Sequence, residues 1–196
     1  MTEPQLNPPY DLVVSLGTDH HRFDRLVAWV ETYLEANPQV TALIQHGFTA
    51  PPRLADGVER LPRQQLLELY QQASVVLVQG GPGSILDARE VGALPLSVPR
   101  LSRLKEAVDD HQVEFARIME IHGETMVVSS SEDLANKLDA ALADPDSLKG
   151  SYRVPGSDKA AQRLQGLVES ALGGPWEGRL SGVFLRRIGQ VFRWKA

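Results

Sequence analysis

The chain has 196 residues, of which 42% are hydrophobic and 23% charged, the composition of an ordinary globular protein with room for one large or two small domains. It contains no cysteine, which excludes disulfides, iron–sulfur clusters and thiolate zinc sites. No apolar run approaches the roughly 20 residues of a membrane span, and the opening MTEPQLNPPYD lacks the basic and apolar regions of a secretory signal, so a cytoplasmic location is expected. Charge is unevenly spread: residues 1–178 carry 15 Lys and Arg against all 25 Asp and Glu, whereas residues 179–196 carry five cations and no acid. The acidic body lacks the basic footprint that nucleic-acid phosphates need, so no nucleic-acid partner is expected and any bound anion must be held locally.

In chain order, Leu12–Leu16 is a short β-rich run stopped by Gly17. Phe23, Leu26, Val27, Val30 and Leu34 then recur at helical spacing as far as Asn37-Pro38. Val40–Ile44 reads as a strand, Arg63–Gln72 as a helix, Ser74–Val78 as an apolar strand and Ser84–Gly92 as a helix. Leu94–Val98 is another strand, Asp109–His122 a helix, Thr125–Val128 a strand, and Glu132–Ala143 and Lys159–Leu172 are helices. Short apolar strands alternating with helices predict an α/β fold, a doubly wound, Rossmann-like parallel sheet covered on both faces. The expected organisation is an extension over residues 1–10, one α/β domain over 11–172, a linker over 173–178 and a basic tail over 179–196.

Ligands of such sheets bind outside the carboxyl ends of the strands, which directs attention to three loops. Gln79-Gly80-Gly81-Pro82-Gly83-Ser84 leaves a strand and enters a helix; its glycines permit close backbone approach, and the first helical N–H groups suit a phosphate. Ser84 can cap that helix or donate to a phosphate oxygen, and a plain strand–helix turn explains the same residues. There is no Walker lysine and no GxGxxG spacing. Gly17-Thr18-Asp19-His20-His21-Arg22 follows the first strand; the histidines can contact a diphosphate or act as acid or base, or Asp19 can cap the next helix and leave them solvated. No metal is expected, because adjacent histidines on an extended segment point apart and neither HxH nor HExxH is present. Asp109-Asp110-His111-Gln112 opens a helix, where acids have an ordinary electrostatic explanation, yet His111 and Gln112 can reach sugar hydroxyls. Asp87 and Glu90, three apart on one helix side, offer a carboxylate for a ribose diol or form a solvated face.

The order of Gly17-Thr18, Gly80-Gly81-Pro82-Gly83-Ser84, Asp87, Glu90, Gly92, Pro95 and Asp110-His111-Gln112 with Glu114 resembles the glycosyltransferase family 28 C-terminal domain over about residues 11–145. That domain is the nucleotide-sugar-binding half of a GT-B enzyme. Within the family the chain resembles the donor-binding, catalytic subunits of split two-component enzymes. The stretch from Gly17-Thr18 through His21, Phe23 and Arg25-Leu26 to Trp29 fits the bacterial exopolysaccharide and capsule branch best.

The resemblance implies a hexosyltransferase that uses a UDP-sugar as donor substrate and needs no cofactor. Its partner would be a membrane-associated subunit carrying a polyprenyl-diphosphate-linked glycan acceptor. Gly81, Gly83 and Ser84 would hold the diphosphate, Asp87 or Glu90 the ribose, and His111 and Gln112 the sugar. Gly17, Thr18, Gln79, Gly80 and Asp110 would complete the binding loops, with His20 and His21 as catalytic candidates near the diphosphate or the attacking hydroxyl. Gln79 stands where the family commonly has His, which motivates an alternative: a non-catalytic module that binds UDP or another phospholigand.

In the tail, Leu180, Val183, Phe184, Ile188, Val191 and Phe192 fall near one helical face, flanked by Arg187 and Arg193. Such a basic amphipathic helix suits an anionic membrane surface or a partner's groove, with Leu180, Phe184, Arg187, Ile188 and Phe192 as contacts. Recruitment to the inner face of the cytoplasmic membrane is the corresponding expectation.

Overall fold

The computed structural model describes residues 6 and 8–150, which fall in the first of two compact units, Met1–Arg153 and Val154–Ala196. The expected helix over 159–172, the linker and the tail contacts Leu180, Phe184, Arg187, Ile188 and Phe192 therefore lie outside the described residues. Six strands form one sheet: β1 (Leu12–Ser15), β2 (Ala42–Gln45), β3 (Asp56–Val58), β4 (Val75–Gln79), β5 (Leu96–Val98) and β6 (Met126–Val127). Their spatial order is β3-β2-β1-β4-β5-β6 and every pairing is parallel. This is the doubly wound sheet that the alternation of apolar runs predicts.

Strand periodicity sorts the side chains into two cores. Leu12, Val14, Val75 and Leu77 pack with Val30 and Leu34 of α1 (Asp24–Ala36) and Leu134 and Leu138 of α5 (Ser131–Ala143). Val13, Val76 and Val78 face the other way, onto Leu66 and Tyr70 of α2 (Arg63–Gln72), Ile85 of α3 (Pro82–Glu90) and Met119 of α4 (His111–Ile121). Each fully buried Leu or Val contributes roughly 1.5–3 kcal/mol, so residues 12–14 alone commit β1 to the middle of the sheet. The chain winds outward from β1 through β2 to β3, then returns to lay β4 on the other side of β1. The switch point lies between β1 and β4, where the loops beyond their carboxyl ends diverge and leave a crevice.

One strand and several boundaries differ from the sequence expectation. β3 was not anticipated, because Asp56-Gly57-Val58 buries only its last residue. β2 starts at Ala42 rather than Val40, since Thr41 is engaged by Asp11: its N–H and Oγ1 both donate to Asp11 Oδ2 at 2.8 Å. α3 starts at Pro82, with Gly81 as N-cap, so Ser84 is inside the first turn and does not cap it; proline suits that first position because its missing N–H would have no helical partner. α4 starts at His111, since Asp109 Oδ1 accepts from the His111 N–H at 3.0 Å and forms a turn before the helix. α5 begins with Ser130 capping the Asp133 N–H at 3.1 Å while Asp133 Oδ2 accepts from the Ser129 N–H at 2.8 Å.

Candidate functional site

The floor of the switch-point crevice is polar. Ser15 and Gln45, the last residues of β1 and β2, are both buried, and Ser15 Oγ donates to Gln45 Oε1 at 3.5 Å. At the end of β4, Gln79 Nε2 donates to Ser84 Oγ at 3.4 Å, while Oε1 is buried without a hydrogen-bond partner among the described residues. The Gln79 carboxamide lies between two glycines. A Cβ on Gly17 would sit 2.7 Å from Gln79 Nε2, and one on Gly81 would sit 2.7 Å from the same nitrogen. Gly17 also has φ +75, a left-handed conformation that disfavours any side chain. The two glycine turns are therefore shaped around Gln79, which joins the loop after β1 to the loop after β4. Gly83 is different: nothing in the described protein lies within 4 Å of its missing Cβ, so the space over the first turn of α3 is open.

Above this floor is a cavity of about 270 Å³ lined by Ser15, Gly17, Thr18, Gln45, Leu61, Arg63, Leu66, Gln79, Gly83, Ser84 and Asp87. Pro82 has no N–H, which leaves the Gly83 and Ser84 N–H groups as first-turn donors without a partner among the described residues, at the positive end of the helix dipole. A larger cavity, about 380 Å³, lies at the amino ends of β4 and β5 between Tyr70, Ala93 and Leu148. It offers a single ionised side chain, Lys149, and none of the expected site residues.

The fold thus brings Gly17, Thr18, Gln79, Gly83, Ser84 and Asp87 around one cavity, with Gly81 against Gln79. Gly80 packs elsewhere: its Cβ would meet Pro99 Cα at 2.9 Å and Gln112 O at 3.2 Å. Glu90 does not line the cavity. Both α3 acids are bound by Arg63, whose Nε and Nη2 donate to Asp87 Oδ1 at 3.0 and 2.8 Å and whose Nη2 donates to Glu90 Oε2 at 2.6 Å. Those hydrogen bonds raise the Arg63 pKa above its ordinary value. The solvated face considered for these acids is in fact an ion-paired one, and Arg89 beside them is buried, donating to Glu124 at 2.9 Å.

The other two loops form an adjoining rim. Asp19 does not cap α1, whose N-cap is Phe23 with no side-chain cap bond; instead Asp19 Oδ1 accepts from the His21 N–H at 2.8 Å and lies 2.6 Å from His21 Nδ1. Burial pushes the Asp19 carboxyl up, but the His21 hydrogen bonds and the Arg100 charge outweigh it and hold the group below the usual carboxylate range. The expectation that the two imidazoles diverge is not met: the ring centroids of His20 and His21 are 4.0 Å apart, and one ligand atom each from Asp19, His20 and His21 fall within 4.8 Å of one another. The turn closed by Asp19 folds the segment back on itself. Neither histidine lines the cavity, and His20 is 75% exposed. Arg22 is engaged by Asp24 at 2.8 Å.

Of the third loop, Gln112 is half-buried and does not line the cavity, its Oε1 accepting from the Arg100 N–H at 3.3 Å. Asp110 staples the loop, accepting from the Ser102 N–H at 2.9 Å. His111 is 87% exposed and pairs with Asp109, whose carboxyl that contact holds below its ordinary pKa.

Sequence reasoning missed the residue that ties these loops together. Arg100 is 1% exposed; Nη1 donates to His21 O at 2.8 Å and Glu106 O at 2.9 Å, Nη2 to Leu16 O at 2.7 Å, and the guanidinium lies 4.6 Å from the Phe23 ring centroid. Burial lowers its pKa, against the opposing charges of Asp19 and Glu106. Arg25 completes the node by binding both Glu106 oxygens, at 2.9 and 2.8 Å, and Pro99 O at 2.8 Å. The only sequence signal was a pair of arginines near otherwise apolar segments. Among the described residues no helix is long and apolar enough to cross a membrane.

A doubly wound parallel sheet with glycine turns, free helix N–H groups and a carboxylate around its switch-point cavity is a Rossmann-like domain suited to a phosphorylated ligand. The model of the glycosyltransferase family 28 C-terminal domain matches residues 58–165, more than half of the chain, and the chain belongs to that family. Solved structures agree on the fold. The UDP-GlcNAc 2-epimerase of Methanocaldococcus jannaschii, solved with UDP-GlcNAc and UDP, superposes with a TM-score of 0.51 at 12% identity, over 78% of this chain and 44% of that one. CalG4, the calicheamicin glycosyltransferase, gives 0.50 at 17% identity, over 73% and 38%. The chain thus spans less than half the length of these neighbours, one GT-B-type half-domain. No curated protein matches it.

Proposed function

We propose that this chain is the donor-binding subunit of a two-component GT-B glycosyltransferase. In this reading it grips a UDP-sugar, and a membrane-associated partner presents a polyprenyl-diphosphate-linked glycan during exopolysaccharide or capsule synthesis. The observation that carries the reading is the gathering of Gly17, Thr18, Gln79, Gly83, Ser84 and Asp87 around one cavity in a chain of this family. The Gly83 and Ser84 N–H groups and the Ser84 hydroxyl would meet the diphosphate, Asp87 the ribose, and Gln112 the sugar. An acceptor hydroxyl attacks the anomeric carbon, its proton passes to a base, and the bond to UDP breaks as the α3 N-terminus stabilises the departing diphosphate. His20 and His21, on the rim, are the acid–base candidates in this reading, and no cofactor is required. The basic tail, through Leu180, Phe184, Arg187, Ile188 and Phe192, would dock on the partner or the cytoplasmic face of the membrane.

One feature favours a second reading. Gln79 is neutral where the family commonly has His, and Arg22 is engaged by Asp24, so the described cavity offers the diphosphate hydrogen bonds but little free positive charge. A non-catalytic UDP- or phospholigand-binding module would tolerate that. The two readings part in a transfer assay: labelled sugar from a UDP-sugar onto lipid-linked acceptor in membranes, with the partner subunit co-expressed and a Ser84→Ala, Asp87→Ala variant as control. Transfer lost in the variant supports the enzyme and removes the second reading. Binding of UDP with no transfer under any pairing supports the module instead.

A further inference from the structure

The role of Asp87 as ribose acceptor belongs to the proposed function, and the inference here rests on that reading. A carboxylate on a helix surface samples several rotamers, and recognition of a diol improves when its orientation is fixed beforehand. Arg63 supplies the constraint. As the first residue of α2, it reaches across to α3 and places two donors, Nε and Nη2, on the same oxygen, Asp87 Oδ1, at 3.0 and 2.8 Å. Glu90 Oε2 accepts from the same Nη2 at 2.6 Å. The planar fork is thus pinned between two acids one helical turn apart.

The consequence is an asymmetric carboxylate. Asp87 Oδ1 is fully used, whereas Oδ2 accepts no hydrogen bond among the described residues, and Asp87 lines the cavity together with Ser84, Gly83 and Arg63 itself. Glu90, which lines no part of that cavity, is the anchor of the fork.

We propose that Arg63 is a positioning residue for ribose recognition: held by Glu90, it orients Asp87 so that Oδ2 accepts from a ribose hydroxyl, making the site selective for ribonucleotides over deoxyribonucleotides. The bland competitor is a clamp between α2 and α3, which would affect stability but not ligand choice.

The test titrates the full chain with UDP, 2′-deoxy-UDP and 3′-deoxy-UDP. A hydrogen bond to a charged group predicts that the wild type prefers UDP over at least one deoxy form by about tenfold or more. In Arg63→Met that preference should shrink to under about threefold, through weaker UDP binding and little change for the deoxy form. Arg63→Lys keeps the charge but not the fork and should restore only part of it; Glu90→Gln should narrow it by a smaller factor. A preference unchanged in Arg63→Met, with an unaltered melting curve or a lowered one, overturns the inference and leaves the clamp. So does a wild type that binds UDP and both deoxy forms equally. Absence of UDP binding by the wild type contradicts the proposed function itself, and this inference with it.

Discussion

Two arginines frame the crevice, and they are opposites. Arg100 is 1% exposed and spends its donors on three backbone carbonyls from two loops. Arg63 is 55% exposed and spends its donors on two carboxylates from one helix. A buried cation that satisfies carbonyls fixes where the chain runs, because each of those oxygens would otherwise be desolvated without a partner. An exposed cation on carboxylates is worth little to stability but decides where a charge points. The first builds the rim; the second tunes what the cavity accepts.

That contrast can be broken most sharply at Arg100. Arg100→Met should destabilise the domain by about 3–5 kcal/mol, since it strands the Leu16, His21 and Glu106 carbonyls, as read by urea denaturation. A loss under about 1 kcal/mol would mean the loops hold themselves. The next largest effect is expected at the glycine turn: Gly17→Ala meets Gln79 at 2.7 Å and cannot keep φ +75 without strain, for a cost of about 1–3 kcal/mol. Adding Gln79→Ala should recover the steric part and leave the backbone part, so the two changes couple by about 0.5 kcal/mol or more in a double-mutant cycle. Arg63→Met should cost no more than about 1 kcal/mol in the same denaturation experiment, the counterpart to its expected effect on ligand preference.

The smallest effect concerns pH. Asp19 has a folded-state pKa below its unfolded value of about 3.9. Its contribution is therefore present above that value and is lost as pH falls through the lower folded-state pKa. Asp19→Asn should flatten the stability profile below about pH 4. An unaltered acid limb would show that the Asp19–His21 turn stores no such energy.

The sheet was legible because β1 and β4 are apolar on both faces and so read as continuous runs, and α2 has the expected bounds, Arg63 and Gln72. β3 was hidden because it is an edge strand burying one residue, and the start of α3 because Ser84 looks like a cap until Pro82 is seen to occupy the first turn. In the site, glycines and Ser84 announce themselves by following strands. Arg63 and Arg100 do not, since the partners of Arg63 lie 24 and 27 residues away and those of Arg100 as far as 84, and only the fold brings them together. The paired rings of His20 and His21 were missed for a local reason: Asp19 closes a turn that an extended reading of the segment does not contain.

The central claim is that the cavity between β1 and β4 is a UDP site, and calorimetric titration of the wild type with UDP beside Ser84→Ala, Asp87→Ala tests it most directly. The account predicts saturable one-to-one binding that the double variant loses while remaining folded. Equal binding by both proteins, or none by the wild type, would contradict it.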